Sequence, residues 1–403
     1  MVIKLDKVEV LKKFFGYDSF RGDQASIIDS LIDDNDIIVI MATGGGKSLC
    51  YQIPAIISNK LTIVVSPLIS LMVDQVRELK IKKIAAEYIN STLNSYEIKL
   101  VNKKIKNGLV KLLYISPERL LNKNFISTIK EIDIKYLIVD EAHCISLWGH
   151  DFRQSYQNIL EFISYLKYRP VIGAFTATAN YHVILDIKNF LNLKRCKTFT
   201  SSSDRPNIFY RIIKTQKKLK VMVKYLLNHQ DSCGIIYTLT IKEAINVYKF
   251  LKSLNFNVGI YHSLLDNKDK LMMQESFINN KNRLMVATNA FGMGINKADI
   301  DFVMIYSIPI SLEELQQQIG RCARDNRYGE GIILFDKKDI STCEYFLKEN
   351  HDISSKLLKR RYHNLKEVIN LIDSSGCIHE RLGRYFNESI KPCLTMCSNC
   401  KKK

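Results

Sequence analysis

Short apolar runs recur along this chain, separated by stretches in which apolar residues return every three or four positions. "DIIVIM", "LTIVVS", "KLLYIS", "YLIVD" and "VIGAFT" form a first set. Each is apolar throughout rather than alternating, the pattern of a strand buried on both faces of a parallel sheet. The amphipathic stretches between them read as helices. Together they give a βαβ rhythm, which predicts a doubly wound sheet with helices on both faces.

The rhythm breaks at "KTFTSSSDRPN", a polar stretch containing Pro206, and restarts with "CGIIYT", "NVGIYH", "RLMVAT", "DFVMIY" and "GIILF". The expected organisation is two α/β domains, 1–202 and 203–340, meeting at that polar linker. After Asp336 the pattern turns helical through roughly residue 373, and a cysteine-bearing tail completes a third piece, 341–403. No solenoid-scale repeat or long low-complexity segment interrupts this order.

Composition agrees with several folded domains. A chain of 403 residues exceeds one ordinary core, and 46% hydrophobic with 10% aromatic content fits a packed protein. The longest apolar runs are of strand length, so no membrane partner is expected. The N-terminus "MVIKLDKVEVLKKF" has no apolar signal core and reads as part of the mature fold of an intracellular protein. The net charge of +18 points to a polyanion, most simply nucleic acid; the bland alternative is a lysine-rich composition bias. Six of the ten cysteines are scattered and read as reduced thiols, while four crowd the tail.

Three stretches carry chemistry. In "IIVIMATGGGKSLCYQ" a strand runs into three glycines followed by Lys47 and Ser48. Thr43, Gly44, Gly45, Gly46, Lys47 and Ser48 form a phosphate cradle. Glycines let backbone N–H groups face phosphate oxygens, Lys47 reaches the β/γ-phosphates, and the Ser48 hydroxyl binds Mg²⁺. Met41 stands where the P-loop pattern places a glycine. In "YLIVDEAH" an acid pair ends a strand, where α/β sheets bind ligands. Asp140 can hold Mg²⁺, Glu141 can polarise the attacking water, and His143 is a γ-phosphate sensor or coupling residue. In "QQQIGRCARD", Gln317, Arg321 and Arg324 fit Q-x-x-G-R-x-x-R. The two arginines share one face if the segment is helical, and would neutralise transition-state charge on the γ-phosphate.

These elements resemble a superfamily 2 helicase. "LKKFFGYDSFRGDQASII", "SPLISLMVDQV", "DEAHCISLWGHDFRQSY" and "VATNAFGMGINKADIDFV" narrow the resemblance to the RecQ family of DNA helicases, over nearly the whole chain. The resemblance implies two tandem RecA-like domains followed by a small helical zinc-binding subdomain. It implies that Tyr17 and Arg21 sandwich adenine and that Gln24 bonds its edge. Trp148, His150, Phe152 and Arg153 would form an aromatic-rich loop that couples DNA binding to hydrolysis. "FTATAN" would link hydrolysis to movement through Thr176 and Thr178, and Gly292 and Gly294 would let backbone approach DNA or nucleotide. Cys377, Cys393, Cys397 and Cys400 can close a tetrahedral Zn²⁺ site, and the family carries one here. His379 reads as structural or DNA-proximal.

Departures from the family pattern are Ala42 for Pro, Leu147 for Gln, Leu264 for Gly, Ala298 for Pro, and Cys322-Ala323 for Ala-Gly. The sequence runs three lysines past Cys400, so the winged-helix and further C-terminal domains common in the family are expected to be absent. The expected activity is ATP- and Mg²⁺-dependent 3′–5′ unwinding of DNA, with single-stranded and forked DNA as partners, in replication, recombination or repair. RNA as substrate and a DNA-binding or strand-annealing module with a regulatory ATPase are the alternatives.

Overall fold

The computed structural model describes residues 6–42, 44–146, 153–291, 297–325, 327–348 and 355–401. Thr43, Trp148, His150, Phe152, Gly292 and Gly294, singled out above, lie outside them. The chain divides into two compact units, 1–202 and 203–403.

The first unit is built on seven strands: β1 (Ile37–Ile40), β2 (Leu61–Val65), β3 (Ala86–Ile89), β4 (Leu112–Ile115), β5 (Ile134–Val139), β6 (Val171–Thr176) and β7 (Lys197–Thr200). Their order is β3-β4-β2-β5-β6-β1-β7, and every pairing is parallel. Continuous apolarity is required because alternate residues of one strand enter different cores. Ile38 and Ile40 of β1 join Val65 and Val139 on one face, while Ile37 and Val39 join Val64 and Ile138 on the other. β7 corrects the expectation of a linker beginning at Lys197. It pairs with β1 in register from Ile37–Lys197 to Ile40–Thr200. As an edge strand it leaves three of its four residues exposed, and only Phe199 packs inward, so it carries no apolar run.

The second unit has six strands: β8 (Ile208–Lys214), β9 (Gly234–Tyr237), β10 (Val258–Tyr261), β11 (Leu284–Ala287), β12 (Phe302–Ile305) and β13 (Gly329–Phe335). They run parallel in the order β10-β11-β9-β12-β13-β8. The helices Lys338–Lys348, Ser355–Asp373 and Ile378–Tyr385 follow. Leu347, Val368, Ile378 and Cys397 share one core with Ile235, Val303 and Ile333, so the cysteine tail packs on the second sheet. Met396 and Ser398 bond the backbone of Tyr210 at 3.1 and 2.8 Å, covering the open edge of β8. Among the described residues no helix is long and apolar enough to cross a membrane.

Candidate active site and metal centre

Both motifs of the first unit lie at the C-terminal ends of its strands. After β1 the chain curls through Gly44–Gly46 into the helix Lys47–Ile57. Gly44 and Gly46 adopt φ +85° and +82°, conformations strained for any side chain. Gly45 has an ordinary φ, but a Cβ there would lie 2.7 Å from Cγ of buried Met41. The unexpected methionine therefore packs against the loop's middle glycine. Lys47 Nζ donates to the Met41 carbonyl at 3.0 Å.

Tyr17, Arg21 and Gln24 line a recess together with Gly44, Gly45 and Gly46. Tyr17 and Arg21 are exposed, while Gln24 is buried. Gln24 ties the recess together: its Nε2 donates to the Gly45 carbonyl at 3.1 Å, and its Oε1 accepts from Arg21 N at 2.9 Å. An amide has two protons on nitrogen and two lone pairs on oxygen, so one of each remains for a base edge.

Asp140 follows β5 directly, and its Oδ1 accepts from Glu141 N at 3.0 Å. Burial pushes its carboxyl up to about 7, reinforced by the Glu141 charge and opposed by Lys47. Lys47 of the glycine loop and Asp140 thus belong to one electrostatic environment. Glu141 sits at φ +48°, a left-handed conformation uncommon outside glycine. Its Oε2 lies 3.3 Å from His143 Nδ1 but is buried without a hydrogen bond. His143 Nδ1 meets Thr176 Oγ1 at 2.9 Å, and the Thr176 hydroxyl donates to the Thr178 carbonyl at 3.0 Å. That hydroxyl's proton is committed, so Nδ1 carries the proton and donates. Thr176 ends β6, which lies between β5 and β1, and its carbonyl also accepts from Met41 N at 3.0 Å. One residue therefore touches both the acid motif and the root of the glycine loop.

The donor set suits a hard cation. The Ser48 hydroxyl and the Asp140 carboxylate would offer it oxygen ligands, and Glu141 Oε2, buried without a hydrogen bond, could accept from a metal-bound water. Arg153, placed on the coupling loop by sequence, is half-buried. Its N–H bonds the Cys144 carbonyl at 3.0 Å and its guanidinium donates to the Pro67 carbonyl at 3.4 Å, tying this end of the loop to two motif segments.

In the second unit Gln317 lies half-buried on the helix Leu312–Ile319. The helix stops there, so Arg321 and Arg324 are not on a helical face; Arg321 to Asp325 form a turn in which Ala323 takes φ +48°. The turn still brings the guanidiniums together. Burial, followed by the Arg321 charge, holds Arg324 below the usual guanidinium range. The Tyr237 hydroxyl pairs with Arg321 and donates to the Phe291 carbonyl at 2.8 Å. Sequence reasoning missed what holds this turn. Arg205 donates to the carbonyls of Gly320, Cys322 and Ala323 at 3.2, 3.0 and 2.8 Å. Asn207 Nδ2 donates to those of Ala323 and Arg327 at 3.0 and 2.8 Å. Both residues lie in the stretch read as a linker.

Cys377, Cys393, Cys397 and Cys400 converge, with all four Sγ atoms within 4.8 Å of one another. Four thiolates in a tetrahedron around Zn²⁺, each about 2.3 Å from the ion, would be about 3.8 Å apart, so the cluster fits that ion. Cys393 N and Cys400 N point at the sulfurs of Cys377 and Cys397 at 3.2 and 3.4 Å, as donors that stabilise thiolate. His379 is structural. Its Nδ1 is 2.6 Å from Asp204 and its Nε2 is 3.1 Å from the Met396 carbonyl; these two acceptors raise its pKa against the effect of burial.

Residues 21–187 match the DEAD/DEAH box helicase family, 217–326 the helicase conserved C-terminal domain and 337–401 the RecQ zinc-binding domain. The chain is 38% identical over 392 residues to the ATP-dependent DNA helicase RecQ of Bacillus subtilis, covering 97% of this chain and 66% of that protein. It is 37% identical over 345 residues to the probable ATP-dependent DNA helicase RecS of the same organism, covering 84% and 69%. The chain belongs to the RecQ helicase family. It spans 66%, 64% and 62% of the length of three RecQ helicases that it matches. The RecQ fold also resembles a solved structure of Saccharomyces cerevisiae Dbp5 bound to RNA and ADP BeF3, with TM-score 0.68 and 16% identity over 90% of this chain and 97% of that one.

Proposed function

We propose that this chain is the ATP-driven motor of a RecQ-type DNA helicase. It hydrolyses ATP, moves 3′ to 5′ on single-stranded DNA and separates duplex ahead of it at forked DNA, in replication, recombination or repair. The observation that carries the reading is that the glycine loop with Lys47 and the acid pair Asp140-Glu141 leave the C-terminal ends of β1 and β5 on either side of β6, and that Thr176 of β6 bonds both His143 and Met41. Such a pair of motifs is matched to a triphosphate and its divalent cation.

Tyr17, Arg21 and Gln24 hold adenine. Backbone N–H groups from Thr43 to Ser48, with the Lys47 ammonium, hold the phosphates. Mg²⁺ on Ser48 and Asp140 supplies charge neutralisation to the phosphoryl oxygens. Glu141 accepts a proton from the attacking water. His143, donating to Thr176, relays the state of the site to the "FTATAN" segment. Arg321 and Arg324, with Gln317, are assigned to the γ-phosphate. Trp148, His150, Phe152 and Arg153 couple strand binding to turnover. Zn²⁺ on Cys377, Cys393, Cys397 and Cys400 would close a subdomain, 341–403, that shares a core with a RecA-like domain at 203–340.

Lys47→Ala tests the reading. DNA-stimulated ATP hydrolysis should vanish while DNA binding remains measurable, and retained turnover would sink the assignment. Strand displacement on a 3′-tailed duplex, with ATP and with a non-hydrolysable analogue, tests output. Hydrolysis without displacement would leave a motor that does not unwind.

A further inference from the structure

The helix Ser95–Lys106 buries Val101 and Ile105 and turns another face outward. Positions 95, 98, 99, 102, 103 and 106 recur at three- and four-residue spacing, so they form one stripe. That stripe is one wall of a groove of about 510 Å³, whose other wall is the segment 119–128. Lys99, Lys103 and Lys106 face Arg119 and Asn124 across it, with Asn102 between the lysines. Among the described residues no Asp or Glu lines the groove. Among the described residues none of these four cations has an ion-pair partner, whereas Lys104, a neighbour on the same helix, pairs with Glu87 at 2.6 Å.

An exposed lysine face is ordinarily solvated and needs no ligand. Three features set this one apart. The lysines repel one another at i,i+4 and i,i+3 with no acid to relieve them. They form a concave surface, where field lines concentrate. The Asn102 Oδ1 atom is buried without a hydrogen-bond donor. Lys99 to Lys106 spans about 10 Å at ~1.5 Å per residue. That is the axial length of about three nucleotides of one strand, at ~3.4 Å each.

We propose that this groove is a nucleic-acid site that grips the phosphodiester backbone of a DNA strand, in addition to the coupling loop and the glycine-bearing segment at 291–299. The lysines and Arg119 pair with successive phosphates, the asparagine amide nitrogens donate to phosphate or sugar oxygens, and the Asn102 Oδ1 accepts from a bridging water. Its contribution is independent of sequence and sensitive to salt.

The inference rests on the reading of the chain as a DNA motor, and one experiment separates the two. The variant Lys99→Gln/Lys103→Gln/Lys106→Gln is compared with wild type by titrating an oligothymidylate across salt concentrations. Each phosphate contact on a single strand contributes ~0.7 to the slope of log affinity against log salt. The expected result is a slope about 2 smaller in magnitude, with affinity at least about tenfold lower at the lowest salt. DNA-free ATP hydrolysis and melting temperature should be unchanged, since none of the three lysines touches the nucleotide site. The same slope and affinity in both proteins would overturn the groove alone. A wild type that binds no DNA would overturn the motor reading as well. Loss of binding to polyglutamate with DNA binding intact would assign the groove to an acidic protein and refute the proposal.

Discussion

Arg205 holds Ala323 in a left-handed conformation. Its Nη2 donates to the Ala323 carbonyl at 2.8 Å, and Ala323 sits at φ +48°. The planar guanidinium also reaches the carbonyls of Gly320 and Cys322, so three acceptors of the arginine-bearing turn converge on one side chain. Arg205→Ala should therefore destabilise the second unit by about 2–4 kcal/mol, because buried carbonyls lose donors that water cannot fully replace. ATP turnover should fall with it as Arg321 loses its fixed placement. Arg205→Lys should recover little, since an ammonium is a point donor without the fork. Denaturant melts and ATPase rates of the two variants check this, and full rescue by lysine would contradict it.

The residue held this way makes its own prediction. Ala323 stands where the family pattern has glycine. Ala323→Gly relieves left-handed strain of about 1–2 kcal/mol. It also loses a buried methyl, about 0.8 kcal/mol, and loosens the unfolded chain by about 0.4–1 kcal/mol. These terms offset, so stability should change by less than about 1 kcal/mol. Ala323→Val has no such compensation: a β-branched side chain is poorly accommodated at positive φ, and the position is fully packed. It should cost about 2 kcal/mol or more. Equal melting temperatures for the two variants would show that the turn is not constrained as described.

Asp140 gives a pH dependence with a definite sign. Its carboxyl is raised to about 7, first by burial and then by Glu141. An ordinary aspartate has a pKa of about 3.9. The folded chain thus holds this proton more tightly than the unfolded one. The stabilisation is full below about pH 4 and is lost as pH rises through about 7. The upper limit is about 4 kcal/mol. Without nucleotide or Mg²⁺, the wild-type melting temperature should fall between pH 5 and 8 by more than that of Asp140→Asn. The variant should be the more stable protein at pH 8 and yet inactive as an ATPase. Parallel curves would remove the assigned cause.

What could be read from the sequence follows from how each feature is encoded. β1, β2, β4, β5 and β6 were visible because both faces of each are buried. β7 was not, because an edge strand with exposed Lys197, Thr198 and Thr200 has no apolar signature. The glycine loop and "DEAH" were legible because phosphate and metal binding demand particular residue types. Arg205 and Asn207 were hidden because they act on backbone carbonyls, which every residue carries. The helical face expected for Arg321 and Arg324 failed at Ala323, whose left-handed backbone no propensity argument assigns to alanine. Thr176 was singled out, but its bonds to both His143 and Met41 depend on the strand order.

The cysteine cluster predicts a fault that differs from simple unfolding. Tyr210 pairs with Met396 and Ser398, and Ile212 N donates to Ser398 Oγ at 3.2 Å, so the cysteine knuckle caps the edge of β8. Cys397→Ser, or removal of zinc by a chelator, should lower the melting temperature by at least about 5 °C. It should also uncover a strand edge able to pair with another chain. Light scattering should then show concentration-dependent association that re-added Zn²⁺ reverses after chelation but not in the variant. A chelated protein that melts lower but stays monomeric would mean that the knuckle does not guard this edge.

Met41 and Gly45 offer a double-mutant test of the phosphate loop. Met41 is buried, and its Cγ would lie 2.7 Å from a Cβ at position 45. Gly45→Ala should therefore displace the loop and weaken nucleotide binding, although Gly45 has no unusual φ. Met41→Ala removes the obstacle at a stability cost of about 2–5 kcal/mol for a buried side chain. It leaves the backbone carbonyl that Lys47 bonds at 3.0 Å, so nucleotide affinity should hold. Combined, the two changes should bind nucleotide better than Gly45→Ala alone, with a coupling of about 0.5–3 kcal/mol. The Ala42 carbonyl, 3.1 Å from the same Cβ, limits the rescue to a partial one. Titration of a fluorescent ATP analogue against the four proteins measures the coupling. Additive losses would mean that Met41 and Gly45 do not share the space assigned to them, and that the missing glycine of the pattern is compensated elsewhere.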